Sequence, residues 1–73
     1  MATTAYFEET ISDKKEKSAK IDLEFGRSSF YGENLMYITV EGKTVILDEK
    51  SGREIYDSMR KLGVYLGYDK DWE

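Results

Sequence analysis

Around Gly26 and Gly32 the sequence gathers Arg27, Ser28, Ser29, Phe30, Tyr31 and Asn34. A guanidinium is a planar fork of donors that suits phosphate or carboxylate oxygens. Hydroxyls and an amide extend such a grip, and two aromatic rings can stack on a base. The set reads as a loop able to sequester a nucleotide-like small ligand or to serve as a protein-binding tip. It is not a known phosphate loop, because a Walker loop needs GxxxxGK followed by Ser or Thr and a helix. Here no Lys follows the glycines and the β-rich run "NLMYITV" comes next. The dinucleotide fingerprint fails on its glycine spacing and its βαβ setting. The same residues also read as an irregular connection between strands, with Phe30 plugging the edge of a core.

Bond-making chemistry has little to work with. The chain contains no His and no Cys, which removes the usual general base near neutral pH, the thiol nucleophile and the ligands zinc prefers. No spacing singles out a carboxylate pair. The expectation is a protein that is not an enzyme, with no cofactor and no metal.

The charges offer another chemistry. Glu8, Glu9, Asp13, Asp22, Glu24 and Glu33 belong to the first half, and Asp69, Asp71 and Glu73 crowd the end. If several share one face, they present phosphate-like charge to a basic protein surface, as an acidic nucleic-acid mimic would. Fifteen acids against eleven bases leave a net charge of −4. That sign argues against direct binding of nucleic acid, which proceeds by neutralising phosphates. Without Cys, a recognisable signal peptide or an apolar run of about 20 residues, the expected location is cytoplasmic, with no membrane partner.

The elements that must position these groups follow from periodicity. The segment "AKIDLEF" alternates, with Ala19, Ile21, Leu23 and Phe25 on one side and Lys20, Asp22 and Glu24 on the other. This is a strand half-buried on its apolar side. Two more β-rich runs, 35–40 and 43–47, flank Glu41-Gly42, and a two-residue turn ending in Gly predicts a hairpin. Its register sets Val40 opposite Lys43, Ile38 opposite Val45 and Met36 opposite Leu47. The opposite face then carries Leu35, Tyr37, Thr39, Thr44 and Ile46.

After Asp48 the period becomes helical. Asp48 is a good N-cap and Gly67 a natural stop, so a helix is expected over about 49–66. Ile55, Met59, Leu62 and Leu66 fall within about 60° of one another and form one narrow apolar stripe. Upstream, residues 1–18 read as an arm or edge strand followed by the mobile charged run "DKKEK". Downstream, residues 68–73 form a tail whose Trp72 either folds back or anchors a partner.

At 73 residues the chain has room for a single small domain, with 19–67 as its core. The expected fold is α+β: an antiparallel three- or four-stranded sheet with one C-terminal helix packed on one face, in the order β-β-β-α. If Met36, Ile38, Val40, Val45 and Leu47 meet the helical stripe, Leu35, Tyr37, Thr39, Thr44 and Ile46 are left uncovered. That second face is crossed by the segment "TTAYF", is merely a somewhat apolar surface, or serves as an interface, for which a homodimer is the simplest user. In size and composition the chain resembles accessory proteins of phages and mobile elements, many of which inhibit a host protein. The resemblance implies a non-enzymatic, dimeric binding module that acts by binding a protein partner, inhibition of that partner being one way it would act.

Overall fold

The computed structural model describes residues 2–68, so the two fates weighed for Trp72 fall outside the described residues. Four strands, β1 (Thr3–Ser12), β2 (Lys20–Ser28), β3 (Leu35–Val40) and β4 (Lys43–Ile46), precede one helix, α1 (Glu49–Leu66). The strands form one antiparallel sheet in sequence order, and the helix contacts β3. The fold is α+β. The N-terminal segment is a fourth strand, paired at the sheet edge along β2.

The hairpin has the register that its turn dictates, with Val40 opposite Lys43 and Ile38 opposite Val45. Leu47 N–H donates to the Met36 carbonyl at 2.8 Å, carrying the pairing one step further. Glu41 (φ 51°) and Gly42 (φ 80°) both sit in the left-handed region, as a type I′ turn requires. Glutamate is a poor residue there, but its side chain compensates: Asp22 N–H donates to Glu41 Oε2 at 2.6 Å. Glu41 N–H returns a bond to the Asp22 carbonyl at 3.0 Å. The turn is thereby clamped to the next strand.

Both helix ends follow the sequence. Asp48 accepts from Ser51 N–H at 2.9 Å, which holds its carboxyl below the ordinary range. Gly67 closes the helix at φ 81°, its N–H reaching the Gly63 and Val64 carbonyls. Two ion pairs, Glu49–Arg53 and Asp57–Lys61, lie on the exposed side one turn apart.

Three local readings are corrected. β2 runs on to Ser28, so Arg27 and Ser28 belong to a strand and only 29–34 form the connection. The "DKKEK" run forms a hydrogen-bonded turn: Asp13 Oδ2 accepts from Lys15 and Glu16 N–H, and Asp13 N–H donates to the Ala19 carbonyl. Its backbone groups find partners that a solvated linker would lack.

The third correction concerns the core. Tyr37 lies on the sheet face expected to be open, yet it is 3% exposed and is the buried hydrophobic side chain among the described residues. The cause is curvature. A bulge at Tyr6 shifts the β1–β2 register between Ala5 and Phe7, and bulges bend a strand and sharpen its twist. At Gly26, directly opposite Tyr37, an added Cβ would lie 2.1 Å from the Thr4 carbonyl oxygen. Only a missing side chain allows β1 to close over β2 at this point. The sheet therefore curls about the Tyr37 face, and Thr3 of β1 and Ile46 of β4 come to line one depression of about 360 Å³.

The other face carries Phe25, Met36, Ile38, Val40, Val45 and Leu47. The helix meets it at one end, where Gly52 is buried and a Cβ placed there would sit 3.8 Å from Met36 Cβ. Ile55 is half-buried, but Met59, Leu62 and Leu66 are 61%, 56% and 47% exposed. The stripe thus leaves the sheet after its first turns.

Candidate functional site

The 27–34 segment comes together, but its polar groups are used by the fold. Arg27 donates through Nη1 to Asn34 Oδ1 at 3.0 Å and through Nη2 to Thr4 Oγ1 at 2.9 Å. From β2 the guanidinium thus ties β1 to the end of the β2–β3 connection. Ser28 is buried and its Oγ accepts from Phe30 N–H at 3.2 Å. Ser29 N–H donates to the Ala2 carbonyl at 2.9 Å, and its hydroxyl pairs with the same residue. What remains outward is aromatic. Phe30 and Tyr31 are 54% and 66% exposed and meet edge to face, with ring centres 5.0 Å apart.

Of the five residues expected to form an open interface, Leu35, Thr39 and Ile46 are half-buried, Thr44 is exposed and Tyr37 is covered. Thr39 and Thr44 bond each other across the hairpin at 2.7 Å. The Tyr37 hydroxyl donates to Glu24 Oε2 at 2.5 Å. That bond, together with burial and the negative charges of Glu24 and Glu8, pushes the phenol up to about 12. The face is a shallow concavity rather than a flat exposed surface.

Farther along the same concavity, Glu8, Glu9, Thr10, Asp22, Glu24 and Thr39 line a second depression of about 420 Å³, and among the described residues no Lys or Arg lines it. Antiparallel pairing explains the convergence: Glu8 faces Glu24, Thr10 faces Asp22, and Glu24 faces Thr39 on the other side. Asp22 is steadied by Thr10, whose hydroxyl donates to it at 2.6 Å. Asp13 and Glu33 lie outside this group, one in the β1–β2 turn and the other in the β2–β3 connection. Asp69, Asp71 and Glu73 fall outside the described residues.

Sequence reasoning placed the acids by number and missed that β1 aligns two of them with β2. The signal was available: "YFEETIS" and "AKIDLEF" can be paired antiparallel so that Phe7 meets Phe25 and Ile11 meets Ile21. The two Phe rings stack with centres 5.3 Å apart.

The apolar face is the other candidate surface. Ile38, Val40, Val45 and Leu47 line an open depression of about 550 Å³ flanked by Glu41 and Lys43. Val40 and Val45 are 39% and 53% exposed. Among the described residues no helix is long and apolar enough to cross a membrane. No family model matches the chain, and no curated protein or solved structure shows significant similarity to it.

Proposed function

We propose that this chain is a non-enzymatic binding module that works through contact with protein surface, as one subunit of an assembly. The observation that carries the reading is surface area. The chain exposes 6322 Å², where a compact monomer of 8.5 kDa exposes about 4,700 Å². Among the described residues the excess includes Val40, Val45, Met59, Leu62 and Leu66, which stand 39–61% exposed. The radius of gyration agrees, at 14.2 Å against about 11 Å for a compact chain of this length. Apolar side chains left in water at the sheet and helix are the material such an interface uses.

Native mass spectrometry of the protein recovered from its own cells tests the reading. A retained polypeptide, whether a second copy or another protein, supports it. A bare folded chain of 8.5 kDa, or one carrying only a mass of nucleotide size, overturns it. The nucleotide-sized adduct would restore the ligand-loop alternative, which the engagement of Arg27 with Thr4 and Asn34 speaks against.

A second reading is favoured by the meeting of Glu8, Asp22 and Glu24 on the concave face. There the chain offers closely spaced negative charge to a basic protein surface, in the manner of a nucleic-acid mimic. Attraction between exposed charges is screened over about 8 Å at physiological salt. A partner held in this way is released by added salt and by Glu8→Gln with Asp22→Asn; capture indifferent to both contradicts the reading.

A further inference from the structure

We propose that the missing surface is a second copy of this chain, and that the Met59–Leu62–Leu66 stripe of each copy lies on the Ile38–Val40–Val45–Leu47 face of the other. The inference rests on the binding-module reading and names its partner.

The chain carries two halves of a layered core that within one molecule meet only at the Met36–Gly52 end. One is a helix whose apolar stripe is exposed over its last three members, and the other is a sheet face with Val40 and Val45 in solvent. In an α+β layer each is the cover the other requires. Only Leu47 and Asp48 separate β4 from α1, and Asp48 is fixed as the cap. The helix therefore has little freedom to swing back over its own sheet beyond the Met36–Gly52 contact.

A copy related by a two-fold axis offers a helix without a sheet to a sheet without a helix, and receives the same in return. That reciprocity is what a closed, isologous dimer demands. Dimensions agree: Ile55 to Leu66 rises about 16 Å along a helix, and Met36 to Val40 spans about 14 Å along a strand. Area favours this occupant as well: each chain brings both a helix stripe and a sheet face to the dimer, so two apolar surfaces per chain count toward the ~800 Å² that a partner contributes to an ordinary interface. The concave acidic face stays open on the outside of such a dimer.

The absence of cysteine makes the arrangement directly testable. Val45→Cys and Met59→Cys are prepared as separate single variants, mixed, and oxidised without denaturant. A Thr44→Cys variant, mixed with Met59→Cys, serves as the control on the concave face. The expected result is a disulfide-linked species of twice the chain mass in the first mixture, several-fold more abundant than in the control, with circular dichroism unchanged. Unmodified protein should also show the doubled mass in solution. A monomer mass at every concentration overturns the proposal, as does a dimer in which Thr44→Cys links more readily than Val45→Cys. If a different protein is retained in native spectra while these links fail, the binding-module reading stands and the second copy is excluded.

Discussion

At the scale of single residues, the side chains with the most evident binding chemistry turned out to be structural. Arg27 looked like an anion clamp because its neighbours were hydroxyls and glycines. The fold uses that fork to join Thr4 in β1 to Asn34 in the β2–β3 connection. Arg27→Ala is therefore expected to lower stability by about 1–2 kcal/mol, the worth of two modest hydrogen bonds. Denaturant titration measures the loss, and Arg27→Lys should recover only part of it, because an ammonium cannot span two acceptors as a planar fork does.

Tyr37 makes the second residue-level case. Its phenol is raised to about 12 from 10.0 because the neutral form donates to Glu24. The folded chain holds this proton more tightly than the unfolded one. The associated stability is whole below pH 10 and is lost as pH rises from about 10 toward 12. Ultraviolet titration of the tyrosines should show one late-ionising phenol, which Tyr37→Phe removes, and the alkaline loss of stability should shrink in the same variant.

Among elements, local chemistry was legible wherever a residue type had one physical reason to be present. Asp48, Gly67 and the Glu41-Gly42 turn fixed the helix ends and the hairpin register, because caps and left-handed positions tolerate few residues. The apolar alternation of "AKIDLEF" identified β2 but not its end, since Gly26 interrupts the pattern while the strand continues to Ser28. The reason lies in β1: Gly26 is empty so that the Thr4–Ala5 backbone can approach. A glycine that exists for a neighbouring strand gives no local sign of it. Gly26→Ala should cost about 1–3 kcal/mol, as overpacking against backbone does. The damage should concentrate in β1, and hydrogen exchange can verify this through faster exchange of β1 amides with the β3–β4 hairpin retained.

Curvature also decided the candidate site. Alternation assigned Leu35, Tyr37, Thr39, Thr44 and Ile46 correctly to one face, but alternation carries no information about how far a sheet bends. The bulge at Tyr6 and the bare backbone at Gly26 turned that face inward. Tyr37 became buried, and Glu8 and Glu24 were brought opposite each other. The stripe on α1 was visible for a related reason, since helical period fixes a direction around the axis. What covers a stripe is a tertiary property.

For the whole molecule, the consequence is a chain that forms its secondary structure well and closes its core poorly. Folding alone buries about half of the surface the unfolded chain exposes, where a domain of this size usually buries about 60%. One surface is apolar and divided between sheet and helix; the other is concave and acidic. The two chemistries suit different partners, so assembly through one leaves the other free.

If the core is completed between two copies, folding and association are one equilibrium, and stability must depend on protein concentration. Thermal unfolding followed by circular dichroism over a wide range of concentration tests this directly. The midpoint is expected to climb steadily with concentration and to fall when Met59→Glu places a charge on the exposed stripe. A midpoint that stays fixed across the range, with a monomer mass at its upper end, would contradict it.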